Sequence, residues 1–127
     1  MKDTPYKWLN LSGLFHDLLP HKHDILKIKH FTARVQSRPN DQSIPPRQDV
    51  YLRAIKSYCH EVEIIFGRFQ TTTKRAPLRF PDDGPKTAEI IHAEEKGSDV
   101  NLAVHMLNDA WMNAFDSAVM VTNDSDI

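Results

Sequence analysis

The sequence predicts an α/β domain with a mainly parallel sheet, and three observations carry that expectation. Helical periodicities alternate with β-like segments along the chain. The segment "DSAVMVT", residues 116–122, is short, apolar and β-branched, the kind of strand buried on both faces of a parallel sheet. The length, 127 residues, suits one domain with one core.

Each element has its own justification. Residues 8–19, "WLNLSGLFHDLL", place Leu11, Leu14, Phe15, Leu18 and Leu19 at helical spacing, and Pro20 ends the run. "DILKIKHFTARV" alternates as a strand does, and "SRPNDQSIPPRQ" reads as a loop from its prolines. A second helix is expected from Pro46 to Tyr58, with Val50, Tyr51, Ala54, Ile55 and Tyr58 as its buried stripe. "EVEIIFGRF" reads as a strand, the span of about 67–86 as a basic, proline-punctuated long loop or loose hairpin, and "AEIIHAEE" as a short strand. From Ser98 to Ala114, Val100, Ala103, Val104, Leu107, Ala110, Trp111 and Ala114 recur on one helical face. They are expected in the core with Met106.

Composition excludes several classes. The chain is 40% hydrophobic and 26% charged with a net charge of -1, ordinary for a globular domain and neutral towards polyanions. A single cysteine, Cys59, excludes an internal disulfide framework and suits a reducing, cytoplasmic setting. "MKDTPYKWLN" has no apolar signal region, and no stretch reaches the ~18 apolar residues of a membrane span.

The mean charge hides an asymmetry. Residues 97–127 hold Asp99, Asp109, Asp116, Asp124 and Asp126 with no lysine or arginine, whereas "GRFQTTTKRAPLRF" holds four cations and no acid. Ligands bind outside the carboxyl ends of strands in open parallel sheets. Asp124 and Asp126 follow the expected last strand, and Asp99 opens the preceding helix, so all three can converge there. Hard oxygen ligands of this kind suit Mg²⁺ or Mn²⁺. The duller alternatives are a favourable helix-terminus charge for Asp99 and turn chemistry for Asp124 and Asp126. In the basic span, Lys74, Arg75 and Arg79 are candidate phosphate contacts, with Phe69 and Phe80 as stacking rings or as inward-packed side chains.

"EEKGSDVNLAVHMLNDA" followed by "DSAVMVTNDSDI" resembles the NYN domain, the branch of PIN-like nucleases that includes the LabA-like proteins. "TPYKWLNLSGLF", "IKHFTARV" and "YLRAIKSYCHEVEIIFGRFQT" extend the resemblance over nearly the whole chain. The resemblance implies a PIN-like three-layer domain over residues 1–127 and a metal-dependent endoribonuclease acting on RNA. It implies Asp99, Asp124 and Asp126 as catalytic and metal-binding residues for Mg²⁺ or Mn²⁺, with Lys96, Ser98 and Asn123 in support. The family opens with a strand of the "DGFN" type that this sequence does not contain, so the chain resembles an internal piece of such a domain. Exposed strand edges would then favour homo-oligomers. The alternative is a non-catalytic remnant that binds RNA or another protein.

Other sets are weaker. His16, His21 and His23 flank the turn after Pro20 as a zinc candidate, without a cysteine pair to join them. Cys59 beside His60 is a poor nucleophile pair, since adjacent side chains point apart, and Cys59 reads as a packed helix end. His105 reads as a solvated residue on the polar side of its helix.

Overall fold

The computed structural model describes residues 8–38, 40–80 and 83–122. The chain is α/β, with three helices and a three-stranded mixed sheet in the order α1 (Leu11–Leu18), β1 (Ile28–Ala33), α2 (Ile44–Tyr58), β2 (Val62–Pro77), β3 (Thr87–Lys96) and α3 (Ser98–Trp111). None of the described helices is long and apolar enough to cross a membrane.

α1 starts where Asn10 accepts a hydrogen bond from the Gly13 amide at 3.1 Å, a side-chain cap for an otherwise unpaired donor. α2 has prolines in its first turn, where a missing N–H costs nothing. It ends at Cys59, which is buried as expected and donates to Asn10 Oδ1 at 3.3 Å. α2 links β1 to β2, which pair in parallel from Ile28↔Val62 to Ala33↔Gly67. Alternation puts Ile28, His30, Val62 and Ile64 on one face and Lys29, Phe31, Glu63 and Ile65 on the other. The first face packs on α1 and α2. Leu11, Ile28, Leu52, Ile55, Cys59 and Val62 form the core there, with Phe15, Ile25, Tyr51 and Ile64 against it. The second face carries α3, so the layers are helices, sheet, helix.

Four expectations are corrected. The sheet is not mainly parallel: beyond Gly67, β2 pairs antiparallel with β3, from Arg68↔Lys96 to Pro77↔Thr87. Of the loop and hairpin alternatives for about 67–86, the hairpin forms, because "FQTTTKRA" is a β-branched run able to pair with "TAEIIHAEEK". Residues 117–121 form no strand, and Val119 and Val121 are 63% and 69% exposed. A strand needs a ladder partner, and these residues join no described ladder. The stripe of α3 is not core: no residue of α3 is buried, and Trp111 is 87% exposed. In α2, too, burial falls on Leu52 and Ile55, while Tyr58 is exposed.

Candidate binding cleft at the carboxyl edge of β1 and β2

β1 and β2 both run toward one edge, and α3 returns antiparallel to them. Asn101 reaches the Phe66 carbonyl at 3.4 Å near the start of α3, while His105 and Asp109 lie over Phe31 and Lys29 further along. The N-terminus of α3 therefore sits at the carboxyl edge, where ligands of parallel sheets collect. Two glycines make the junction. Gly97 takes φ 90°, a left-handed conformation, to turn β3 into α3. Gly67 leaves room for the helix start: a Cβ there would lie 2.8 Å from Ser98 Oγ and 3.0 Å from the Lys96 carbonyl oxygen.

Phe66, Gly67, Arg68, Lys96, Gly97 and Asn101 line an open cleft of about 350 Å³ at this junction. The Phe66 ring is 36% exposed and carries the Arg34 guanidinium 4.7 Å from its centroid. Arg34 itself pairs with Asp49, and Lys96 with Glu94 at 2.7 Å. The Lys96 ammonium holds the Glu94 carboxyl below its ordinary range. Arg68 makes no ion pair among the described residues, so its guanidinium is the lining cation open to an anion. Gln48 braces the end of β1: its amide donates to the Ala33 carbonyl at 2.8 Å and accepts from the Val35 amide at 3.1 Å.

A second polar group lies under α3. Lys29 on β1 pairs with Asp109, and its Nζ stands 3.3 Å from His105 Nδ1. The Phe31 and His105 rings are 5.7 Å apart between centroids. The Lys29 hydrogen bond holds the Asp109 carboxyl below its ordinary range. On the other sheet face, burial lowers the pKa of His30.

Of the residues expected from the sequence, Lys96, Ser98 and Asp99 come together at the start of α3, with Ser98 Oγ donating to Glu95. Asp99 is exposed in the first turn. Asn123, Asp124 and Asp126 lie outside the described residues. Lys74 and Arg75 lie on β2, opposite Ile90 and Glu89, so of the two only Arg75 directly faces an acid of the partner strand, and Arg79 follows β2. Phe80 is exposed and has Arg79 beside its ring, 5.2 Å away. His16, His21 and His23 do gather with Asp24 around a hollow of about 290 Å³. Among the described residues, though, no group of three or more His, Cys, Asp or Glu is placed to hold a metal ion. His105 is not solvated as expected but turned onto the sheet. Asn101, His105 and Asp109 form one polar stripe at four-residue spacing, but nothing local in the sequence marks it as the sheet-facing side. Arg68 was one of the four cations of the basic span, whereas Phe66 and Lys29 had no local signal.

No protein-family model matches the chain, and no solved structure does. Among curated proteins the chain is similar to 6-hydroxy-3-succinoylpyridine 3-monooxygenase HspA of Pseudomonas putida, at 31% identity over 151 aligned positions. The match covers 100% of this chain and 48% of the relative, so the chain spans about half the length of the curated relative it matches. This similarity corrects the endoribonuclease expectation, because it points to an oxidoreductase rather than a hydrolase of RNA. The Mg²⁺ or Mn²⁺ cofactor is corrected with it, the described residues offering no metal-binding group in its support.

Proposed function

We propose that this chain is part of a monooxygenase-type oxidoreductase, and that its carboxyl-edge cleft binds a small aromatic acid of the succinoylpyridine class. The observation that carries the reading is the 31% identity extending over the whole chain. The cleft suits such a molecule chemically. A succinoylpyridine has a flat ring and a carboxylate tail. The half-exposed Phe66 ring, which already carries Arg34 over one face, offers its remaining face for stacking. Arg68, without an ion-pair partner among the described residues, offers a planar fork matched to a carboxylate. Asn101 adds an amide on the α3 side. Monooxygenation needs dioxygen and a two-electron donor besides the substrate. Recognition and orientation are what these residues contribute, and the complete activity belongs to a longer protein such as the relative. A PIN-like arrangement is the finer reading of the fold, supported by the helix–sheet–helix layering and by α3 starting beside the carboxyl end of β1 and the Phe66–Gly67 stretch of β2.

The test is a calorimetric titration of the chain with 6-hydroxy-3-succinoylpyridine, alongside Arg68→Ala and Phe66→Ala. Losing a charge-assisted hydrogen bond costs about 1.5–3 kcal/mol, so Arg68→Ala is expected to weaken binding at least tenfold. Replacing the carboxylate of the ligand by an amide is expected to abolish the difference between wild type and Arg68→Ala. Saturable binding that ignores Arg68, or no binding to the folded chain, overturns the assignment.

A further inference from the structure

α3 is seated on the sheet by its polar side. Asn101, His105 and Asp109 are four residues apart and so share one helical face. That face meets β1 and β2. Asn101 makes a long hydrogen bond, 3.4 Å, to the Phe66 carbonyl. His105 tilts 60° against Phe31 and approaches Lys29. Asp109 closes the row by pairing with Lys29, the two side chains 24% and 17% exposed. Val100, Val104, Leu107 and Trp111 point outward, between 57% and 87% exposed. No apolar side chain of α3 is buried, whereas α2 buries Leu52 and Ile55 on the opposite face. Beside that row the Phe31 and His105 rings meet, and Leu102 is the half-buried apolar side chain of α3.

We propose that α3 is a detachable cover of the β1–β2 sheet face, clasped by the Lys29–Asp109–His105 cluster, and that it opens as a unit in response to ionic strength while the α1–α2 core stays closed. The charged groups facing the clasp are few: Lys29 on β1, His105 and Asp109 on α3, and Glu63 on β2, itself 3.3 Å from Lys27. A single partly exposed ion pair is the kind of interaction salt weakens, since charges are screened over ~10 Å at 0.1 M and ~3 Å at 1 M. Apolar burial is not weakened that way. Segments with few buried apolar contacts open locally, below the free energy of global unfolding. Opening bares Lys29, Phe31 and Ile65. It also moves one wall of the cleft, because Gly97 and Asn101 belong to that wall.

The experiment is amide hydrogen exchange on the whole chain at 0.05 and 1 M sodium chloride. Amides of α3 are expected to exchange faster than those of α2, and salt is expected to raise the α3 rates roughly three- to tenfold while leaving Leu52–Ile55 unchanged. Asp109→Asn is expected to reach the high-salt rates already at low salt and to respond little to further salt. Leu107→Ala, on the outward stripe, is expected to leave α3 exchange near wild type. The proposal is overturned if α3 and α2 exchange at one common rate or if salt leaves α3 unchanged. It is also overturned if Asp109→Asn speeds both helices equally, or if Leu107→Ala speeds α3 as much as Asp109→Asn does.

Discussion

Leu52 and Ile55 of α2 are 4% and 3% exposed against one face of β1 and β2, whereas on the opposite face α3 buries no residue at all. The strands are the same; their alternation makes the difference. One parity presents Ile28, Val62 and Ile64, and helices with apolar stripes settle on it. The other presents Lys29 and Glu63 beside Phe31 and Ile65. A buried lysine with no partner would be costly, so that face takes a helix by its polar side, where Asp109 meets Lys29. Which side of an amphipathic helix turns inward thus depends on the surface it meets.

The sharpest way to break this comparison is to truncate one leucine on each side. Leu52→Ala removes a core side chain and is expected to destabilise the chain by about 2–5 kcal/mol, measured by urea denaturation. Leu107→Ala trims a residue already 71% exposed and is expected to fall within about 0.5 kcal/mol of wild type. Comparable losses from the two would mean that the outward stripe of α3 is covered in solution.

Local sequence pattern carried much of the fold but little of the site. The α3 helix and its two-sided character were legible from Val100 to Trp111, because 3.6-residue periodicity needs no knowledge of neighbours. The inward side was not, because it depends on Lys29, which lies 80 positions from Asp109. Prolines in "RAPLRFPDDGP" correctly suggested a turn, yet they hid the strand-forming threonines before them. "DSAVMVT" has the composition of a strand, but composition supplies no ladder. At the site, the start of α3 lies near the carboxyl end of β1, whereas the expectation placed it against a strand over 116–122 that does not form. The pairing of Phe66 and Arg68 with Lys96 and Asn101 follows instead from the change of partner at Gly67, a long-range register that no short motif encodes.

Gly67 allows a second, smaller test, aimed at the α3 face alone. Its new Cβ in Gly67→Ala would press on Ser98 Oγ and on the Lys96 carbonyl, a backbone atom that does not yield as a flexible side-chain tip does. Overpacking of this kind costs about 1–3 kcal/mol, and the expected loss lies in that range. Since Gly67 also lines the cleft, ligand affinity should fall along with stability. Wild-type stability in Gly67→Ala would show that the helix start shifts freely and that the junction is not tight.

The smallest expected effect separates the two faces by pH. His30 shares the α1–α2 side of the sheet with Ile28, and burial lowers its pKa below the ordinary value near 6.5. Desolvation penalises its charged form, so the unfolded chain takes up the proton first as pH falls. Above pH ~6.5 both states are neutral and His30 has no effect on stability. Below it the unfolded state gains, and the loss levels off once the folded histidine is protonated too. Asp109 behaves oppositely: its folded pKa is lowered, so its contribution is intact above the ordinary carboxylate range and disappears only as pH falls through the lowered value. Between pH 7.5 and 5.5, acid should therefore weaken the α1–α2 side through His30, while the Asp109 carboxylate stays ionised. Urea midpoints of wild type and His30→Leu across that interval measure this. The wild type is expected to lose more stability than the variant. Parallel slopes for the two proteins would remove His30 as the titrating group and leave the apolar face of the sheet without a pH response of its own.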